Sequence, residues 1–391
     1  MKILHTVLFY APHVGGSEEV IRQVSERLAA RGHEVTVATQ ALPERTFKSL
    51  NGVRIEEFDI GGNVTHGIKG DIARYEQFLR EGEFDVMLNY AAQQWASDLA
   101  FPLLPDLPYG RVFVPCGFSA LYHPDFRPYF DAMPAVLARY DELVFHADHY
   151  RDTDFARENG LTDLNIIPNG ASEVEFAGPD PTFRERYGIP EDVPLLLTVG
   201  NHTGRKGHHL TIDAFRQADI GRAVLLVIGG QIAGIVGCTH LCRAEALYTR
   251  SISRSRKQVR LLNPPRADVV AAFHAADLFV FGSNIEYSPL VLFEALAAKT
   301  PFVSTACGNA EEIADWTGGG VIIPTRHHAN GYVTARSRDL AHAIEQLMTD
   351  SARRDQLAMA GHEAWRERFT WDAITDRYEA VYRKAIAKRN A

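Results

Sequence analysis

Ile3–Tyr10 is an almost unbroken apolar run, and a glycine-bearing turn at Pro12–Gly16 separates it from residues spaced for a helix. A run apolar on both faces fits a strand covered on both sides, and such strands belong to parallel sheets. The helix reads from Ser17 as N-cap, with Glu18 and Glu19 in its first turn and Val20, Ile21, Val24 and Leu28 as its apolar stripe. Gly32 closes it and Val35–Ala38 is the next strand. The chain therefore opens on a βαβ unit, whose right-handed crossover makes the two strands parallel neighbours. Val86–Asn89, Val112–Pro115 and Leu143–Phe145 continue the strand series, with helices between them.

The alternation then stops and begins again. The stretch IIPNGASEVEFAGPDPTF, from Ile166, is dense in Pro, Gly, Asn and Asp. Beyond it Leu195–Val199, Val224–Ile228, Leu278–Phe281 and Phe302–Thr305 read as strands, Leu210–Phe215 and Leu290–Ala298 as helices, and the chain ends helical. An α/β protein of two doubly wound, Rossmann-like domains is expected, with a hinge near 170–190 and a cleft between the domains. At 391 residues each half is long enough to bury its own core.

Charge excludes one class of function. Residues 1–170 hold 15 Lys and Arg against 24 Asp and Glu, and the rest hold 26 against 25, so the net −8 sits in the first half. A general nucleic-acid binder needs a basic face, and none is present in this balance. Four cysteines (Cys116, Cys238, Cys242, Cys307) do not make a disulfide framework. Cys238-x3-Cys242 with His240 lacks a fourth ligand at zinc spacing and reads as a chance cluster. The first apolar run is too short for a signal-peptide core, and no stretch of about 18 apolar residues occurs, so a cytoplasmic protein is expected.

Three segments carry chemistry. Gly15–Gly16 lies between a strand and a helix N-terminus, where free N–H groups suit an anion, although many α/β turns look the same. It is neither a G-x-G-x-x-G fingerprint nor a Walker loop. Thr198–Gly207 runs from a buried strand into a loop holding Arg205 and Lys206, two cations at a sheet edge and suited to a diphosphate. Glu286-Tyr-Ser-Pro-Leu-Val-Leu-Phe-Glu294 sets one carboxylate before a helix N-terminus and one about a turn inside it, with Pro289 in the first turn. The helix end suits phosphate, and the carboxylates suit sugar or ribose hydroxyls.

Glu286 and Glu294, with seven residues between them, resemble the E-x7-E motif of the retaining GT-B glycosyltransferases of family 4. The likeness covers nearly the whole chain. MKIL…P…GG…E at the start, LAARGHEV at 28–35, IIPNG at 166–170, VGNHTGRKG and the stretch from Ala275 to Ile313 are each similar to a family segment. FTWDAITDRYEAVY resembles the terminal helix that crosses back to the first domain, which implies domains of 1–172 with 371–391 for the acceptor and 173–370 for the donor.

The resemblance implies that Lys206 binds the donor diphosphate, Glu294 the ribose, and Glu286 the donor sugar, helped by backbone N–H groups of Ser288, Pro289, Leu290 and Val291 as a segment. Proline contributes no N–H of its own to that set. Gly15 and Gly16 would sit against the diphosphate and the acceptor. The donor implied is a nucleoside diphosphate sugar, with UDP or GDP as nucleotide. The acceptor implied is a saccharide or glycolipid, as in polysaccharide assembly, and neither cofactor nor metal is expected.

Three positions depart from the family. Asn201 stands in place of the diphosphate Arg, which Arg205 could replace from a shifted position. Cys116 stands in place of a His near the donor sugar, and Tyr287-Ser288-Pro289 in place of Gly-Phe-Gly. A nucleotide-sugar epimerase and an impaired binding subunit of a partner transferase are the alternative readings. Asp152-Thr-Asp154 reads as a helix-capping face rather than a metal motif, and the aromatic residues from Phe118 to Tyr140 as core. Arg243–Arg260 reads as a solvated helical face, with peripheral contact to an anionic membrane as the lesser reading. Nothing in the sequence sets an oligomeric state.

Overall fold

A computed structural model describes residues 1–231, 237–254 and 256–390. The chain forms two compact units, one of residues 1–169 with the segment from Trp371 onward, the other Gly170–Thr370. Ala391, the last residue of the expected first domain, and Ser255, in the basic stretch, lie outside the described residues.

The first unit holds β1 (Lys2–Thr6), β2 (Glu34–Gln40), β3 (Ser49–Leu50), β4 (Val53–Phe58), a hairpin of β5 (Ile60–Asn63) and β6 (Gly67–Gly70), β7 (Val86–Tyr90), β8 (Gly110–Val114), β9 (Glu142–Phe145) and β10 (Leu164–Ile166). Eight of them form one sheet in the order β10-β9-β8-β7-β1-β2-β4-β3, with every pairing parallel except β3 with β4. The strands β1, β7 and β8 are buried almost throughout, as a sheet covered on both faces requires. Strands β3 and β4 and the β5–β6 hairpin lie between Ala38 and Val86, where the sequence reading named no strand. The alternation in Val53–Phe58 is interrupted by Glu56-Glu57, which hides its period of two.

The first helix spans Gly16–Ala30, with Gly15 as N-cap, which corrects Ser17. Glu19 N–H donates to the Gly15 carbonyl (3.0 Å) and so closes the first turn two residues earlier, while Ser17 Oγ donates to Glu18 Oε2 (3.0 Å). Val20, Ile21, Val24 and Leu28 are buried as spaced.

The helix Trp371–Asn390 completes this unit. It buries Trp371, Ile374, Tyr378, Tyr382 and Ala385. Tyr382 Oη is hydrogen-bonded to the buried His5 Nε2 (2.8 Å), and Arg31 pairs with Asp372 and Asp376, each at 2.7 Å. A Cβ on Gly110 would lie 2.9 Å from the backbone of Ala385, so the glycine in β8 lets the helix approach the sheet. The segment from 371 also brings five cations and three acids, so the first unit carries −7 rather than the −9 of residues 1–170.

The second unit holds β11 (Leu195–Val199), β12 (Ala223–Ile228), β13 (Lys257–Leu262), β14 (Leu278–Phe281), β15 (Phe302–Ser304), β16 (Gly320–Ile322) and a hairpin of β17 (Thr325–His327) and β18 (Val333–Ala335). The six-stranded sheet is parallel throughout, in the order β13-β12-β11-β14-β15-β16. The basic stretch Arg243–Arg260 is therefore not one helical face. The helix Thr239–Ile252 ends and β13 begins at Lys257, which is 8% exposed. Its ammonium donates to the carbonyls of Phe215 (2.9 Å) and Arg216 (3.0 Å), the last turn of the helix His208–Gln217. A cation there satisfies carbonyls that a helix end leaves unpaired.

Candidate functional site

In each sheet the strand order reverses beside the unit's first strand, between β1 and β7 and between β11 and β14. Ligands of open α/β sheets bind at such reversals, outside the carboxyl ends of the strands. The loop after β11 carries Arg205 and Lys206, and the segment after β14 carries Glu286. The fold thus brings the second and third sequence-selected segments together at one reversal.

Their meeting is tight. Lys206 Nζ donates to Glu286 Oε1 (2.7 Å) and Oε2 (3.0 Å), and Ser283 Oγ donates to Oε1 (2.7 Å). The Glu286 side chain is 11% exposed and that of Lys206 32% exposed. Asn284 N–H donates to the Arg205 carbonyl (2.9 Å), which ties the two segments through backbone as well. Gly207 permits this approach: its φ is +62°, and a Cβ would stand 1.7 Å from the Gly282 carbonyl oxygen. The Lys206 stem lies over Gly200, whose Cβ would be 3.1 Å from Lys206 Cγ.

Asn201 is exposed and accepts from Gly230 N–H through Oδ1 (3.3 Å), so it fastens the loop to the end of β12. Arg205 is exposed, and its guanidinium has no hydrogen-bond or ion-pair partner among the described residues.

The helix Leu290–Ala297 follows, with Pro289 at its N-cap rather than in its first turn. Pro289 has extended backbone (φ −70°, ψ 113°) and its carbonyl accepts from Leu292 N–H (3.2 Å), so its missing N–H is not needed. Ser288 is buried, with its Oγ accepting from Asn309 Nδ2 (3.3 Å), and Leu290 and Val291 are half-buried. Glu294, one turn inside, pairs with Arg266 (2.5 Å), which also binds Glu175 (2.9 Å). Burial opposes the Arg266 charge, but Glu294 and Glu175 outweigh it and hold the guanidinium above its ordinary pKa. A cavity of about 300 Å3 lies on the Glu175 side of this arginine, against Asp180 and Val270.

In the first unit, Gly15 and Gly16 begin their helix beside a carboxylate already in place. Glu18 is 8% exposed, its Oε1 lies 3.2 Å from His13 Nδ1, and its Oε2 would lie 2.4 Å from a Cβ on Gly15. Cys116 follows β8 at φ +60°, with Gly117 and Phe118 also left-handed. Asp152 Oδ2 accepts from Gly117 N–H (2.8 Å) and holds that turn, so Asp152 secures a loop at the start of its helix. Burial pushes the Cys116 thiol up to about 12, and it also pushes up Cys307, which lies near Glu286, to about 12. Neither is a thiolate nucleophile at neutral pH. Phe118, Phe126, Tyr129 and Phe130 are core, and Tyr122 alone of the aromatic set named from that stretch is exposed.

Sequence reading missed Ser283, three residues before Glu286, and Arg266, Glu175 and Asn309, which act from other elements. It also missed His202 and His208, which fold against Cys238 and Cys242, whereas the neighbouring His240 is exposed and outside that group. Among the described residues, no helix is long and apolar enough to cross a membrane.

Comparison with known proteins gives the same architecture. Residues 179–364 match the family model for glycosyl transferases group 1, and residues 14–171 match the model for Glycosyltransferase Family 4. A D-inositol 3-phosphate glycosyltransferase of Xylanimonas cellulosilytica is 26% identical over 96% of this chain and 93% of its own. The lipopolysaccharide glucosyltransferase WaaG of Escherichia coli is 27% identical over 79% of this chain and 82% of its own. Among solved structures, a sucrose-phosphate synthase from Thermosynechococcus elongatus superposes with a TM-score of 0.77 at 19% identity, covering 99% of both chains.

Proposed function

We propose, for a chain that belongs to the family-4 glycosyltransferases of GT-B fold, that the β11–β14 edge holds the diphosphate of a nucleotide-sugar donor. The observation that carries this is the Lys206–Glu286 pair, 2.7 Å apart at the sheet reversal and just ahead of the Leu290–Ala297 helix. A cation already desolvated by a carboxylate, next to the positive end of a helix, meets a diphosphate with little reorganisation.

Lys206 and Arg205 neutralise the leaving diphosphate, with Arg205 supplying the charge absent at Asn201. The backbone N–H groups of Ser288, Leu290 and Val291 add the helix end, and Pro289 sets its direction. Glu286 accepts a hydrogen bond from a hydroxyl of the donor sugar, while Ser283 fixes its orientation. Glu294 accepts from the ribose hydroxyls, and Arg266 keeps it in place.

Transfer proceeds with retention. The bond from the sugar's anomeric carbon to the diphosphate oxygen breaks, and the acceptor oxygen bonds to that carbon on the same face. The acceptor's proton passes to the departing diphosphate oxygen, so no enzyme nucleophile is required. The charge on that oxygen is held by Lys206, Arg205 and the helix end, a task that needs no metal at the diphosphate. Gly15 and Gly16 serve the acceptor, since Glu18 already places negative charge beside them. The acceptor is a saccharide or glycolipid.

The test is a panel of UDP- and GDP-sugars with saccharide and glycolipid acceptors, read by NMR of the product's anomeric proton. A product with the donor's anomeric configuration, formed without added Mg2+ or Mn2+, is expected. An inverted product, or transfer that starts only when Mg2+ or Mn2+ is added, contradicts the reading.

A further inference from the structure

The loop that carries Arg205 and Lys206 is bracketed by two buried histidines. His202 and His208 are 3% and 1% exposed, and their rings meet Cys238 and Cys242. One ligand atom from each of the four lies within 4.8 Å of all the others. Nδ1 of His202 and Nδ1 of His208 are 3.2 Å apart, and Cys238 Sγ is 3.5 Å from the first and 3.6 Å from the second. A tetrahedral zinc ion, with Zn–N of about 2.05 Å and Zn–S of about 2.3 Å, requires edges of about 3.3 Å between nitrogens and about 3.6 Å between nitrogen and sulfur.

Hydrogen bonding does not account for this spacing. Each Nδ1 offers one proton or one lone pair along one direction, yet each faces two partners at once. A single cation at the centre satisfies every one of these contacts. We propose that His202, His208, Cys238 and Cys242 form a structural Zn2+ site.

The local sequence builds it. Cys238 is the N-cap of the helix Thr239–Ile252 and Cys242 stands four residues on, so both lie on one helix face. His208 opens the helix His208–Gln217, and His202 N–H donates to the Gly230 carbonyl (2.9 Å). A Cβ on Gly237 would lie 2.0 Å from the His202 carbonyl oxygen, so glycine lets the cysteine segment close on the loop. Binding displaces the thiol protons of Cys238 and Cys242 to solvent and leaves a closed Cys2His2 shell, the pattern of structural rather than catalytic zinc. With both of its ends held, the loop presents Lys206 and Arg205 already ordered; this consequence rests on the donor reading above.

The test uses the full-length chain prepared without chelator or metal-affinity tag. Mass spectrometry of the metal content is expected to find one zinc per chain, and next to none in Cys242→Ser, while His240→Ala keeps its zinc. Replacement of zinc by Co2+ in the unmutated protein is expected to give the visible bands and thiolate charge-transfer absorption of a tetrahedral site with sulfur ligands. Protein that carries no zinc and takes up neither Zn2+ nor Co2+ stoichiometrically overturns the proposal, and loss of zinc in His240→Ala overturns the ligand assignment. Zinc removal is expected to weaken UDP or GDP binding about ten-fold, the loss that follows when an ordered binding loop is freed. Unchanged affinity overturns the loop-ordering role, whereas zinc-loaded protein that binds no nucleotide overturns the donor reading alone.

Discussion

The two units reverse their strand order at equivalent places and equip those places in opposite ways. In the first unit, the loops after β7 and β8 hold four non-glycine residues in left-handed backbone: Ala91 (φ 70°), Gln93 (φ 64°), Cys116 (φ 60°) and Phe118 (φ 44°). A network of neutral groups is buried beside them, although the carboxylates of Asp152 and Glu18 are buried nearby. His146 Nδ1–H donates to the Ile167 carbonyl (2.7 Å) and Nε2 accepts from Tyr90 Oη (2.8 Å), while Asn89 joins Thr6 to Tyr140. In the second unit, the loops after β11 and β14 hold paired charges, and no described non-glycine residue there has a positive φ. A neutral network fixes shape, and an ion pair near the surface can exchange its carboxylate partner for a phosphate. The same architecture therefore holds a hydrogen-bonded network with left-handed backbone in one unit and an ion pair in the other.

The sharpest way to break this contrast is at the left-handed positions. Gly207→Ala puts a Cβ 1.7 Å from the Gly282 oxygen as well as forcing φ +62° on alanine. A loss of more than about 4 kcal/mol in the second unit's stability is expected, read by urea unfolding, with nucleotide binding abolished. Wild-type affinity in that variant would show that the approach of the two segments is not what makes the site.

Acid probes the neutral network. Burial lowers His146 to about 4 and His5 to about 3, both below the ordinary histidine value of 6.5. The unfolded chain therefore takes up protons that the folded one refuses, and stability falls as pH drops from about 6.5 toward 4, by about 3 kcal/mol from His146 alone. Asp98 works in the other direction. Burial raises it to about 6, so its share of stability is largest in acid and falls as pH rises from 3.8 to about 6. Chemical unfolding as a function of pH is expected to show the histidine slope, and Asp98→Asn to steepen it. A flat profile between pH 6.5 and 4 would mean that these rings are not held neutral.

The smallest effect is the counterpart of the first. Ala91→Gly relieves a left-handed alanine, and a stabilisation of about 1 kcal/mol or less is expected by thermal unfolding. Destabilisation would mean that the methyl group packs more than the backbone strains.

Legibility in the sequence followed distance along the chain. Leu195–Val199 and Leu278–Phe281 were readable because a doubly covered strand is continuously apolar, and both were found with their observed limits. Glu286 and Glu294 stood out because one helix start fixes their spacing. Lys257 was misread, since a cation is ordinarily solvated and only the folded chain shows the carbonyls it meets 41 and 42 residues away. Arg266 and Glu175 are 91 residues apart, and nothing local marks them as partners. The four-ligand cluster escaped for the same reason. His202 and His208 lie 36 and 30 residues before Cys238, so Cys238-x3-Cys242 looked like half a site with the wrong histidine beside it.

The central claim is that the Lys206–Glu286 edge of the second unit, and not the edge of the first, takes the donor diphosphate. Calorimetric titration of UDP and GDP into the unmutated chain and into Lys206→Ala tests it most directly. Binding by the former and a loss of about 10- to 10²-fold in the latter are expected, the cost of removing one charged hydrogen-bond donor to the diphosphate. Equal affinity in the two proteins, or no binding of either nucleotide to the unmutated chain, would contradict it.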